Sequence, residues 1–192
     1  MNKTSTNQQD GDWIQATLDG DREAFGNLVR KYQDRLYNGL LQMLRNEAEA
    51  EDVVQEAFIL AYTKLKSFQR KSAFYTWLYR IAYNVSISRM RRQRPVASIH
   101  SADRDEPMQL PGRAPSPDAG ICQQERASQL ALALDRLSEE HRVILVLREI
   151  DDLDYEAIAV ILEIPVGTVR SRLHRARLQL KEQLELMDVD GT

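Results

Sequence analysis

The 192-residue chain has a single cysteine, Cys122, and only three histidines, His100, His141 and His174, scattered along it. One thiol excludes an internal disulfide, and the histidine spacing offers no cluster suited to a metal. Cys122 reads as a spare thiol. No apolar run approaches the roughly 20 residues that a membrane span requires. The first ten residues, Met1 to Asp10, are polar and lack the apolar stretch of a secretion signal, so the expectation is a soluble, cytoplasmic protein without membrane insertion. Clustered carboxylates, an activated nucleophile and a phosphate-cradling glycine loop are also missing. This argues against a nuclease-like enzyme, and no catalytic residue, metal or cofactor is assigned.

Proline is scarce outside one window. Five of the six prolines are Pro95, Pro107, Pro111, Pro115 and Pro117, in a stretch that also holds Gly112, Gly120 and much Ser, Asp and Gln. Such a composition builds no core. Residues 95 to 124 therefore read as a flexible linker between helical domains at residues 10 to 94 and 125 to 186.

The net charge of -3 is unexpected for a nucleic-acid binder, but binding depends on where charge sits rather than on its sum. From Arg70 to Arg94 there are seven basic residues (Arg70, Lys71, Arg80, Arg89, Arg91, Arg92, Arg94) and no acidic one. From Val166 to Lys181 the same holds, with Arg170, Arg172, Arg175, Arg177 and Lys181. Solvated helix faces usually mix signs, so two one-signed stretches in an acidic protein favour two polyanion contacts.

Neither flank of the linker alternates with the period of two that marks half-buried strands, whereas apolar residues recur at helical spacing, which predicts an all-α fold. Asp21 can cap a helix with the stripe Phe25, Leu28, Val29, Tyr32, Leu36, Leu40 and Leu44. After the polar break Asn46-Glu47-Ala48-Glu49 a second helix carries Val54, Ala57, Phe58, Ala61 and Leu65 on one face, and Ile59 and Leu60 fall off it. The run from Ala57 to Tyr62 is thus apolar nearly all round, which in so small a domain points to an outside partner. A third helix is expected to open near Ser72 and to bury Phe74, Trp77, Leu78, Ile81, Ala82 and Val85. Its other sides carry a tyrosine stripe (Tyr75, Tyr79, Tyr83), read either as packing at the core edge or as stacking surface, and a polar stripe (Thr76, Arg80, Asn84, Arg91).

The second domain reads as short helices. Their stripes are Ala127, Leu130, Leu134 and Leu137, then Val143, Ile144, Leu147 and Ile150, then Ile158, Ala159 and Leu162 behind an Asp154 cap. The break Ile164-Pro165-Val166-Gly167-Thr168 precedes a last helix that buries Val169, Leu173, Ala176 and Leu180. Two helices across a tight turn, the second basic at its start, form the helix-turn-helix pattern. Arg170, Ser171, His174 and Arg175 would face the major groove, where arginine bonds guanine bidentately. In the first domain, a basic, aromatic-rich helix behind a loop containing Phe68 suits separated strands, because exposed bases stack on rings while arginines hold phosphates. Duplex reading at one end with strand capture at the other implies promoter opening.

Three segments carry a family resemblance: Asp52-Val53-Val54-Gln55-Glu56-Ala57-Phe58, the run from Ser72 to Asn84, and Pro165 to Arg172. In this order around a variable linker they resemble the extracytoplasmic-function (ECF) sigma factors of RNA polymerase, within the sigma-70 family. The resemblance implies that the first domain is sigma region 2, which binds the β′ clamp helices of core RNA polymerase and melts the minus-10 element. It implies that the second is sigma region 4, which reads minus-35 promoter DNA and touches the β flap. Residue by residue, Asp52, Gln55, Glu56, Ile59 and Leu60 become the polymerase surface. Phe68, Ala73, Arg80 and Asn84 become the minus-10 surface, and Arg148, Thr168, Arg170, Ser171, His174 and Arg175 the minus-35 surface. An anti-sigma partner is a further family expectation. The sequence departs from the pattern at Arg70-Lys71, where Gly-Asp is frequent, at His174, where an apolar ring occurs, and at Asp151-Asp152-Leu153-Asp154, in place of an Asp-Gly-Leu-Ser type turn. The alternative is a helix-turn-helix regulator that acts without polymerase; it accounts for the last helix but not for the other two segments.

Overall fold

Capping chemistry sets the helix starts of the first unit. In the computed structural model, which describes residues 3–93 and 129–190, every regular element among the described residues is helical. The expected linker lies outside these residues, as do Arg94, His100, Cys122 and Ala127. Helix α1 is Lys3–Leu18 and α2 is Arg22–Leu44. Asp21 caps α2, accepting from the Glu23 and Ala24 amides. Asn46 caps α3 (Glu47–Lys64) by accepting from the Glu49 amide at 3.0 Å. A short 3-10 turn, Leu65–Ser67, leads to α4 (Phe74–Gln93). This helix starts two residues later than the expected opening at Ser72, with the Ala73 carbonyl accepting from the Trp77 amide.

The stripe of α2 is the spine of the first unit: Phe25, Leu28, Tyr32, Leu36 and Leu40 are buried, with Val29 and Leu44 packed against them. Helix α2 packs on α3, and α3 on α4. Helix α1 carries this unit back beyond the boundary expected at residue 10. Its Ile14 is buried and its Trp13 packs on the core, while the buried Asp10 accepts from the Tyr32 hydroxyl and from Lys31.

The second unit contains α5 (residues 129–135), α6 (Glu139–Leu145), α7 (Tyr155–Leu162) and α8 (Val166–Asp190). Ser138 and Asp154 cap α6 and α7. Leu134 and Leu137 of the expected first stripe are buried, but Leu130 is exposed and Ala131 and Ala133 are buried instead. A π-helical turn, Val146–Ile150, continues α6, closed by the Asp151 amide bonding the Val146 carbonyl at 3.0 Å. The extra residue in that turn rotates the following side chains out of α-helical phase. Ile150, expected in the core, is therefore exposed, and Asp151, in the turn that follows, is buried.

The two units touch. Helix α4 packs on α7 and α2 on the π turn, and one apolar cluster runs from the first unit into the second. Polar links rim this contact: Arg45 pairs with Asp135 at 2.6 Å, Arg80 with Glu163 at 2.7 Å, and Arg142 Nε donates to the Met43 carbonyl at 3.2 Å.

Candidate nucleic-acid interface

The helix-turn-helix is built by a left-handed residue. Glu163 ends α7 at φ 56°, its amide bonding the Ala159 carbonyl, and the Pro165 carbonyl accepts from the Thr168 and Val169 amides to start α8. Val169, Leu173 and Ala176 bury the inner side of α8. Arg170, Ser171, His174 and Arg175 all lie exposed on the outer side. Arg170 has no ion pair among the described residues, Ser171 Oγ donates to the Thr168 carbonyl, and Arg175 Nε makes only a long 3.4 Å bond to the Ser171 carbonyl. Thr168 is partly buried. The other arginines of this basic stretch are occupied: Arg172 pairs with Glu140 at 3.2 Å, and Arg177 with Glu149 at 2.6 Å, an interaction that raises its pKa. Arg148 is also engaged. Its guanidinium donates to the Leu153 carbonyl at 2.8 Å and lies 5.4 Å from the Tyr155 ring, so it braces the turn ahead of α7.

Around the start of α4, Phe68 packs edge-on to Phe74 and tilted on Trp77, with ring centroids 5.9 and 5.0 Å away, while Ala73 is exposed beside it. Phe68, Arg70, Lys71 and Ala73 line a cavity of about 560 Å³ against α1. Asn84 is exposed, two turns beyond Thr76. Arg70 sits at φ 55°, in the left-handed region that favours glycine, and Asp152, at φ 47°, does the same in the turn of the second unit.

The tyrosine stripe is packing surface here. Tyr75 and Tyr79 are buried and Tyr83 half-buried. Tyr75 Oη donates to Asp151 Oδ1 at 2.7 Å, and the Arg35 guanidinium lies 4.1 Å from the Tyr75 ring. Burial, reinforced by the Asp151 charge, pushes both phenols well above their usual range. Burial likewise raises the Asp151 carboxyl, opposed by the Tyr75 hydrogen bond and the Arg35 charge. Asp151 Oδ2 and Tyr79 Oη have no hydrogen-bond partner among the described residues, and both crowd the bare Cα of Gly39, where a Cβ would overlap them.

On α3 the expected outward face is present. Ile59 is 57% exposed and Leu60 partly so, beside the exposed Gln55 and Tyr62. Asp52 and Glu56 are clasped by Arg89 of α4 at 2.8 and 2.9 Å, which raises the arginine's pKa. One member of the first basic stretch is therefore neutralised by the surface read as polymerase-facing. Asp151, Arg35 and Glu163 escaped sequence reasoning. The one available signal was Gly39, a glycine inside the apolar stripe of α2, where it costs about 1 kcal/mol of helix propensity and so marks a close approach.

No described helix is long and apolar enough to cross a membrane. The family profile described as Sigma-70 region 2 matches residues 28–96, and that described as Sigma-70, region 4 matches residues 127–180. The ECF RNA polymerase sigma factor SigW of Bacillus subtilis is 37% identical over 89% of this chain and 94% of its own length. The RNA polymerase sigma-H factor of Pseudomonas aeruginosa is 38% identical over 94% of this chain and 96% of its own. The ECF RNA polymerase sigma-E factor of Escherichia coli is 38% identical over 90% of this chain and 92% of its own. Among solved structures, the sigma factor RpoE of Bartonella quintana in complex with the anti-sigma factor NepR matches with TM-score 0.70 and 28% identity over 84% of this chain and 96% of that one. CnrH in complex with the cytosolic domain of CnrY matches with TM-score 0.67 and 25% identity over 95% and 99%. With both region profiles in order on two packed helical units, and full-length relatives that share more than a third of its residues, the chain belongs to the ECF sigma factors of the sigma-70 family.

Proposed function

We propose that this sigma factor, which binds core RNA polymerase and directs it to a subset of promoters, assigns each contact to a separate surface. The outer face of α3, with Gln55, Ile59 and Leu60 flanked by the Asp52–Glu56–Arg89 clasp, takes the β′ clamp helices. Phe68, Ala73, Arg80 and Asn84 take the opened minus-10 strand. Arg170, Ser171, His174 and Arg175 take the minus-35 duplex together with Thr168 and with Arg148, held at the turn ahead of α7, and the second unit meets the β flap. Residues 10–94, extended by α1, form the polymerase and minus-10 domain; residues 95–124 link it to the minus-35 domain at 125–186. The protein acts in the cytoplasm as an initiation factor without catalytic chemistry of its own, and an anti-sigma protein is its expected antagonist.

The observation that carries this reading is Ile59. A 57%-exposed isoleucine inside an apolar run, on a helix whose opposite face is fully used in the core, suits a protein partner, which a self-sufficient regulator does not need on this helix. Runoff transcription with purified core polymerase over a random promoter library tests it. The expected result is initiation dependent on this chain, with two enriched sequence elements upstream of the start. Tight, sequence-specific duplex binding by the chain alone, without stimulation of polymerase, would establish the regulator instead.

A further inference from the structure

Helix α1 precedes the residues that the region 2 profile covers, yet it forms one wall of the cavity beside the minus-10 loop. Its inner side is fastened. Ile14 is buried, and the buried Asp10 accepts from Lys31 and from the Tyr32 hydroxyl. The Tyr32 ring in turn stacks on Tyr75 at 5.3 Å and lies 5.8 Å from Phe74, so α1 is tied through α2 to the start of α4. The other face of α1 carries Gln8, Asp12 and Gln15, spaced i, i+4 and i+7, all exposed and all lining the cavity of about 560 Å³. Across it stand the Phe68 ring and the cations Arg70 and Lys71. Arg70 spans the two walls, with long 3.5 Å contacts from Nη2 to the Gly11 carbonyl and to Gln15 Oε1. Asp12 has neither a hydrogen bond nor an ion pair from its carboxylate among the described residues.

The two walls differ in chemistry. An aromatic ring flanked by cations suits a stacked base and the phosphates of a single strand. A free carboxylate in the same cavity repels phosphate, and what it can take from a nucleotide is a hydrogen-bond donor on a base edge. The volume is ample for one base. We propose that Asp12 reads one base of the opened minus-10 strand by accepting a hydrogen bond from its exocyclic amino group, with Gln8 and Gln15 beside it. The inference rests on the minus-10 reading given above and adds α1 to that surface as the wall that selects. Adenine, cytosine and guanine carry such an amino group, whereas thymine has a carbonyl oxygen in its place. The Asp10–Tyr32 anchor serves this role, because discrimination by one hydrogen bond needs a wall that does not move.

The test uses holoenzyme reconstituted from core polymerase and the full chain. It is offered a pool of single-stranded 12-mers randomised at every position, and the captured strands are sequenced. The recovered motif is expected to disfavour thymine at one position by about tenfold, the discrimination that a single good base contact supplies. Asp12→Asn, whose amide donates as well as accepts, should admit thymine at that position alone, and Asp12→Ala should remove the preference there. Both variants should bind core polymerase as the wild type does, since Asp12 is exposed on α1, away from the α3 face. A wild-type motif that tolerates thymine at every position overturns the proposal, as does an unchanged motif in both variants. Capture strengthened equally for all sequences also overturns it, because Asp12 would then be only a repulsive charge beside the strand. Phe68→Ala and Asn84→Ala separate the two levels. If they weaken strand capture while the Asp12 variants keep the wild-type motif, the minus-10 surface is right and α1 is not its selecting wall. If neither weakens capture, the minus-10 reading itself has failed.

Discussion

The Tyr75 hydroxyl donates a 2.7 Å hydrogen bond to Asp151 across 76 positions of sequence, joining α4 of one sigma domain to the π turn of the other. The carboxylate it meets is buried and only partly satisfied, with Oδ2 unbonded. A buried charge of this kind costs more than a neutral group of the same shape.

Asp151→Asn should therefore hold the units together more firmly at neutral pH. The asparagine still accepts from Tyr75, and its amide can donate to the unbonded Tyr79 hydroxyl. Asp151→Ala, which strands the Tyr75 hydroxyl, should loosen the contact by about 1–3 kcal/mol. Scattering or an inter-domain fluorescence distance ranks the three proteins; an asparagine variant more open than the wild type would contradict the argument.

The same residue makes closure depend on pH. Burial raises the Asp151 carboxyl above its ordinary 3.8, while the Tyr75 hydrogen bond and the Arg35 charge pull the other way without cancelling the rise. The closed form thus binds a proton in a range where the open form has released it. Closure should strengthen as pH falls through the raised value and gain nothing further below the ordinary one. Other carboxylates titrate in wild type and Asp151→Asn alike, so the difference between the two curves isolates this group. Parallel curves would remove Asp151 as the cause.

Ile59→Asp should abolish binding to core polymerase with an unchanged melting temperature, because the side chain is exposed in the free protein. Loss of a buried apolar anchor from an interface costs about 2 kcal/mol or more, and an uncompensated charge adds to it. Native gels with core polymerase, alongside thermal unfolding, check both halves.

Much of this was legible in the sequence, and the failures share a cause. The Phe25-to-Leu40 stripe, the caps Asp21 and Asp154, and the break at Pro165 follow from local rules, and each lies where those rules put it. The outward Ile59 followed from counting faces on one helix. What local rules missed is tertiary. A π turn shifts phase by one residue and exchanges Ile150 for Asp151, and nothing in the periodicity of α6 announces it. Tyr75 and Tyr79 fitted stacking and packing equally well until a second unit was laid over them. Helix α1 has Ile14 buried and Trp13 beside the core but too thin an apolar stripe to stand out.

Backbone strain marks the loop ahead of α4. Arg70 occupies a left-handed conformation, and its guanidinium makes only long 3.5 Å contacts with the Gly11 carbonyl and Gln15. A non-glycine residue there costs about 1 kcal/mol. Arg70→Gly should raise the melting temperature of the first unit by about 4–8 °C, the shift that 1 kcal/mol produces in a domain of this size. No rise would mean that the arginine's contacts offset the strain. Asp152→Gly should gain less, since aspartate tolerates this conformation better.

The arginines of the two basic stretches divide by partner, and salt dependence can read the division. Each phosphate contact contributes about 0.9 to the slope of log affinity against log salt on duplex DNA. Arg170 has no ion pair among the described residues, whereas Arg89 is held by Asp52 and Glu56 and Arg177 by Glu149. Alanine at Arg170 or Arg175 should cost about 1–3 kcal/mol on the preferred promoter and less on others if they read bases. A loss uniform over sequences, with the slope reduced by about one contact, would make them phosphate contacts instead. Alanine at Arg89 should leave the slope unchanged and lower thermal stability by about 0–1 kcal/mol, the range of exposed ion pairs. It should also weaken polymerase binding, because Asp52 and Glu56 lose the cation that fixes their position on the outer face of α3. A reduced slope with polymerase binding intact would return Arg89 to the DNA surface and leave the clasp as packing.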